Sequence, residues 1–140
     1  DMAKMVLVNP VITVNAVDLS DHIASVTITR NINEVETTAF TTGTSAGVTR
    51  VGGLENNEIS LSFHQDFATG SNVEAIIYPL IGGTTTVTIK PVNSTTTSTN
   101  PSYSATVLCT SWTPVNGAVG ELATADVTWP VSGLITKSTA

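Results

Sequence analysis

The sequence predicts a mainly β fold with a single α-helix, at about residues 71–81, docked on it. Three observations predict it. Threonine is about one residue in six, and β-branched side chains suit pleated, half-buried surfaces. Most apolar residues fall in short runs of period two, bounded by Gly, Pro, Asn or Asp. In one place only, between Ile59 and Gly83, does the apolar period lengthen from two residues to about 3.6.

In chain order, Val11 to Val14 reads as a short strand, followed by a turn around Asp18 to His22 whose Asp and Ser can bond their own backbone. Ser25 to Val35 reads as a longer strand. Residues 37–53 hold no sustained period and are interrupted by glycine, so they read as a long mobile loop. Ile59, Leu61 and Phe63 alternate with Ser60, Ser62 and His64, giving a strand with one apolar and one polar face. Ser71 and Glu74 then stand at capping-box spacing. Val73, Ile76, Ile77 and Leu80 place one apolar stripe on the helix, and Gly82-Gly83 is expected to stop it. Thr86 to Lys90, Tyr103 to Thr113 and Thr124 to Val131 complete the strands. Asn93 to Pro101 reads as a polar loop with nothing to pack a core, and Asn116-Gly117 as a turn.

At 140 residues the chain reads as a single domain, with an N-terminal arm at about 1–16 and a C-terminal arm at about 132–140. A net charge of −6 from only 11% ionisable residues argues against tight nucleic-acid binding, which needs clustered Lys and Arg. The apolar run near the N-terminus is broken by Asn9 and Pro10 and carries no basic flank, so neither a signal peptide nor a membrane span is expected. Cys109 has no second cysteine to bridge and lies in an apolar strand pattern, as a buried inert thiol does.

A register argument links two strands. If 25–36 pairs antiparallel with 55–65, Ile32 faces Ile59, Ile28 faces Phe63, and Val26 falls near Gln65. A one-residue slip would set apolar against polar sides. The opposite face then carries Thr27, Thr29, Asn31 and Asn33 from one strand and Glu58, Ser60, Ser62 and His64 from the other. A solvated sheet face would look the same. Near the loop, Glu34, Glu36 and Glu55 should come together with only Arg50 to offset them.

Catalytic patterns are absent. His22 and His64 have no Cys cluster or HExxH spacing beside them, no GxSxG elbow is present, and Gly82-Gly83 follows a helix instead of opening one. Asp66, just before a strand-to-helix turn, reads as a backbone cap. Trp112 and Trp129 read as core or inter-sheet packing. No catalytic, cofactor or metal residue is assigned.

The block HQDFATGSNVEAIIYPLIGG, the earlier VDLSDHIASVTITRNINEVETT and the later NPSYSATVLCTSWTPVNGAVGELATADVTWP, in that order, resemble the major tail tube proteins of long non-contractile-tailed bacteriophages, the siphovirus type. The resemblance spans roughly residues 17–132 and rests on the combined order of the blocks. It implies an antiparallel β-sandwich or half-barrel flanked by that single α-helix, in a non-enzymatic virion protein assembled in the host cytoplasm into six-subunit rings that stack into a tube. Tape-measure and tail-terminator proteins would be its partners. Double-stranded DNA would pass through the lumen without specific binding, and no membrane would be involved. Under it, Thr29, Asn31, Asn33, Glu58, Ser60 and Ser62 are expected to line the channel, with Glu34, Glu36, Glu55 and Arg50 at a ring edge.

Other readings fit the same composition. A capsid-decorating or tail-terminator protein is the near competitor, and an immunoglobulin-like extracellular adhesion module the more distant one.

Overall fold

A computed structural model of the chain describes residues 4–39, 47–66 and 73–139. It contains ten strands: β1 (Val11–Val14), β2 (Val17–Asp18), β3 (Ile23–Thr29), β4 (Ile32–Glu36), β5 (Arg50–Glu55), β6 (Glu58–His64), β7 (Thr84–Lys90), β8 (Ser102–Leu108), β9 (Thr124–Pro130) and β10 (Thr136–Ser138). One α-helix, α1 (Val73–Ile77), precedes a 3₁₀ turn at Tyr78–Leu80. The strands form a five-stranded sheet of order β10-β8-β7-β1-β2, a three-stranded sheet β3-β6-β9 and a two-stranded ribbon β4-β5, all with antiparallel pairing.

The two larger sheets meet in one core. Ile12, Val14, Val87, Ile89, Ala105 and Val107 come from the first, and Ile59, Leu61, Phe63, Ala125, Val127 and Trp129 from the second. Each is an alternate residue of its strand, so the period-two pattern becomes an inward face. Burying a side chain the size of Ile or Phe contributes about 1.5–3 kcal/mol, which makes this interface the main stabilising element. The sheets pack crosswise: Tyr103 at one end of β8 shares a recess with Ile28, while Val107 near its other end bridges to Val131. Past Val131 the chain turns through Gly133, with φ of 109°, and enters the other sheet as β10. A strand that changes sheets at a bend is how crosswise sandwiches make their corners.

Several expectations are corrected. The β3–β6 pairing places Ile28 opposite Ile59, Val26 opposite Leu61 and Ile23 opposite Phe63, and Ile32 opposite Glu55 in the ribbon. The expected register is therefore displaced by four residues. Four is two full pleat periods, so every side chain keeps its face and the apolar pattern cannot tell the registers apart. The expected strand 25–35 is divided at Arg30-Asn31, and residues 50–53 of the expected loop are strand; residues 40–46 lie outside the described residues. Val11–Val14, assigned above to an N-terminal arm, pairs with both β7 and β2, and Ile12 and Val14 are fully buried. Likewise β10 draws residues 136–138 of the expected C-terminal arm onto β8.

The helix ends at Ile77, short of the expected 81 and of the glycines. Pro79 lacks an N–H and its ring crowds the carbonyl four residues back, so helical bonding gives way to a 3₁₀ turn at Tyr78. Gly82, at φ 93°, then donates to the Cys109 carbonyl at 2.9 Å. Ser71 of the capping box lies outside the described residues. Glu74 accepts the Trp112 indole N–H at 2.6 Å, while the Trp112 ring meets Phe63 edge to face at a centroid distance of 5.9 Å. The helix is thus fastened over one end of the core by a polar tie, with Val73 and Ile77 buried beneath it. The loop before Pro101 is also organised: buried Asn100 receives the Val92 N–H and donates to the carbonyls of Val92, Ser94 and Thr95.

Candidate functional site

The outward face of β3-β6-β9 is polar across its width. Direct cross-strand partners share a face in an antiparallel sheet, and here they are Thr27, Ser60 and Thr128 in one row and Ser25, Ser62 and Asp126 in the next. Within the rows, Ser60 Oγ lies 3.1 Å from Thr128 Oγ1, and Ser62 donates to Asp126 at 2.7 Å. Thr29 and Glu58 form the row at the edge of the body. Hydroxyls therefore satisfy one another along this face, and the carboxylates of Glu58 and Asp126 give it a mildly negative character with no Lys or Arg in these rows. Asp126 and Thr128 were not among the sequence candidates. Their alternation with Ala125, Val127 and Trp129 was legible, but the pairing of β9 with β6 was not.

Beyond Thr29 the ribbon leaves the sandwich. Its root is built from three polar contacts: Asn31 N–H donates to the buried Asn57 side-chain oxygen at 2.7 Å, Asn56 N–H donates to the Asn31 carbonyl at 2.7 Å, and Arg30 Nε donates to Glu55 at 2.6 Å. That ion pair holds the Glu55 carboxyl below the usual range, chiefly through the Arg30 hydrogen bond, and raises Arg30 in turn. Farther out, Arg50 Nε meets Glu34 at 2.7 Å, and Glu36 stands opposite Arg50. The expected cluster of three carboxylates with a single cation is thus two separate arrangements. Glu55 belongs to Arg30, a residue sequence reasoning did not single out; Glu34 pairs with Arg50, and Glu36 stands opposite Arg50 in the ribbon register. Asn31 sits at the root and Asn33 at the start of the ribbon, both exposed, so the six channel candidates run from the body to the base of the ribbon and do not lie in one sheet.

Gly53 fits the ribbon because a Cβ there would lie 2.8 Å from Val35 Cγ2. Ile32, Val35, Val51 and Leu54 are exposed on the ribbon at 48%, 46%, 54% and 81%, which leaves apolar surface uncovered on an element that a lone hairpin cannot stabilise well.

At the other end of the sheet, His22 Nε2 approaches Asp66 Oδ2 at 3.7 Å, and the Asp66 carbonyl accepts Glu74 N–H at 3.4 Å. His64 is half-buried opposite Thr124. Among the described residues no group of three His, Cys, Asp or Glu could hold a metal ion, and no helix is long and apolar enough to cross a membrane. Burial pushes the Cys109 thiol up from its ordinary pKa, away from the reactive thiolate.

With the polar face, the ribbon and the crossed sheets in place, solved structures can be compared. In fold, the chain is similar to the tube-terminating cap of the anti-feeding prophage. That cryo-EM structure superposes with a TM-score of 0.65 at 19% identity, covering 100% of this chain and 96% of that one. At this identity the likeness is one of fold, a mainly β, antiparallel architecture of phage-tail type with one short helix. No protein-family model matches the chain, and no curated protein does. The likeness runs over nearly the whole of both chains.

Proposed function

We propose that the chain is a structural subunit of a phage-type tail, assembling as six-membered rings that stack into a tube. The observation that carries this reading is the row of mutually satisfied hydroxyls and carboxylates on β3-β6-β9, continued outward by a ribbon with apolar surface still to be covered. In a ring, Thr29, Asn31, Asn33, Glu58, Ser60 and Ser62 line the lumen. Such a wall suits the passage of double-stranded DNA: it offers no clustered cations to trap phosphates, and its few carboxylates repel them weakly. Glu34, Glu36, Glu55 and Arg50 lie toward the ring edge, where charges set register more than affinity. Tape-measure and terminator proteins are the partners this role requires, and the virion tail is its location. No step of it calls for a catalytic group.

A second reading is supported by the fold comparison. The similar structure is a tube-terminating cap, and a single ring that ends a tube would use the same polar lumen. Negative-stain microscopy of the purified protein separates the two. Hollow tubes of many rings support the tube reading, single rings support the cap, and monodisperse monomers at high concentration contradict both.

A further inference from the structure

The two ends of the β3-β6-β9 sheet carry complementary surfaces. β6 and β9 run together from the Glu58–Pro130 pair to the His64–Thr124 pair, roughly 20 Å at about 3.3 Å per residue. At the His64 end projects the loop 114–123. It is pinned to the body: Thr124 N–H donates to the Asn116 carbonyl at 3.0 Å, Gln65 N–H to the Ala123 carbonyl at 3.0 Å, and the Gln65 amide to the Pro114 carbonyl at 2.7 Å. An inner turn bonds Glu121 N–H to the Ala118 carbonyl at 3.0 Å. This held loop raises Val115, Val119 and Leu122 into solvent at 82%, 106% and 66% exposure. Glu121 is its single ionisable residue.

At the Glu58 end, beside the root of the ribbon, a recess of about 380 Å³ is lined by Ile28, Arg30, Tyr103, Ile135 and Lys137. Its floor is apolar and its charged lining residues are both cations; Arg30 is paired with Glu55, while Lys137 makes no ion pair among the described residues. Convex, apolar and singly acidic at one end answers concave, apolar and basic at the other. Because the two surfaces lie at opposite ends of one sheet, they bring one copy to a second head to tail, and such a contact repeats along the strand direction when its rotation does not close a ring.

We propose that loop 114–123 of one copy seats in the Ile28–Tyr103–Ile135 recess of the next, with Glu121 facing Arg30 and Lys137, and that this contact stacks the subunits. The proposal rests on the tube reading and assigns its axial contact. Burying Val119 and Leu122 supplies the attraction, and the charges fix the seating.

The test is a V119C/I135C double variant, mildly oxidised and run on a non-reducing gel, with the same sample imaged by negative stain. Cys109 is buried and stays out of the exchange. A ladder of linked chains is expected from the double variant, and no ladder from either single variant. V119K changes a side chain that touches nothing in the subunit, so its thermal melt should match the wild type while assembly falls by more than about tenfold, as a cation driven into an apolar recess beside Lys137 requires. K137E should weaken assembly and E121K/K137E restore it. Tubes without a ladder, or tubes undiminished in V119K, overturn the contact and leave the tube reading standing. Isolated rings without a ladder overturn the contact in favour of the cap, and monomers alone overturn both proposals.

Discussion

The side chain of Asn57, 1% exposed, accepts the backbone N–H of Asn31 at 2.7 Å, and this bond marks where the β3–β6 sheet ends and the β4–β5 ribbon begins. Its position also explains why the ribbon starts here: the opposing sheet ends, and a buried amide takes over a backbone donor that no strand can satisfy. Replacing Asn57 by Ala leaves that donor without its partner. The expected cost is about 1–3 kcal/mol, measured as a shift of the urea midpoint with an unchanged slope.

The Arg30–Glu55 pair beside it gives the ribbon root a pH dependence. The folded-state pKa of Glu55 is lowered, first by the Arg30 hydrogen bond. The pair's contribution is therefore fully present above the ordinary glutamate value of about 4.3 and is lost as pH falls through the lowered folded value. The gap in denaturation midpoint between wild type and E55Q should be constant from neutral pH down to about 4.3, narrow between there and the lowered folded value, and be closed below it. A gap that stays constant through acid would show that the pair contributes nothing.

How far the sequence disclosed this site can be read residue by residue. Ser60 and Ser62 were assigned to the polar face from alternation alone, and the four-residue displacement of register left that assignment unchanged because it preserves parity. Partners were not legible, since they depend on Asn57, whose side-chain bond has no periodic signature. Arg30 was missed for the same reason: its tie to Glu55 needs the strand division that Asn31 and Asn57 create. The tight turn between β1 and β2 escaped because it uses Asn15-Ala16, at φ 52° and 64°, instead of the familiar Asn-Gly pair.

That turn supplies another expectation. Both central residues occupy the left-handed region, where an L side chain costs roughly 1–2 kcal/mol and glycine does not. Ala16→Gly should raise stability by about 1 kcal/mol, read as a higher melting temperature. A lowered melting temperature would contradict the turn geometry.

Trp129 is fully buried and donates its indole N–H to the Ser111 carbonyl at 2.9 Å, tying the segment after β8 to the three-stranded sheet. Trp129→Phe removes that bond and leaves a void, with an expected loss of about 2–4 kcal/mol. Chemical denaturation measures it, and a loss under about 0.5 kcal/mol, the scale of an ordinary surface substitution, would place the ring outside the core.

The central claim is that the hydroxyl face of β3-β6-β9 becomes the inner wall of a tube. Cryo-EM density of the purified, assembled protein tests it directly. The account predicts stacked rings in which Ser60, Ser62, Glu58 and Thr29 face the lumen; density that turns these side chains to the outer surface, or buries them between subunits, would contradict it.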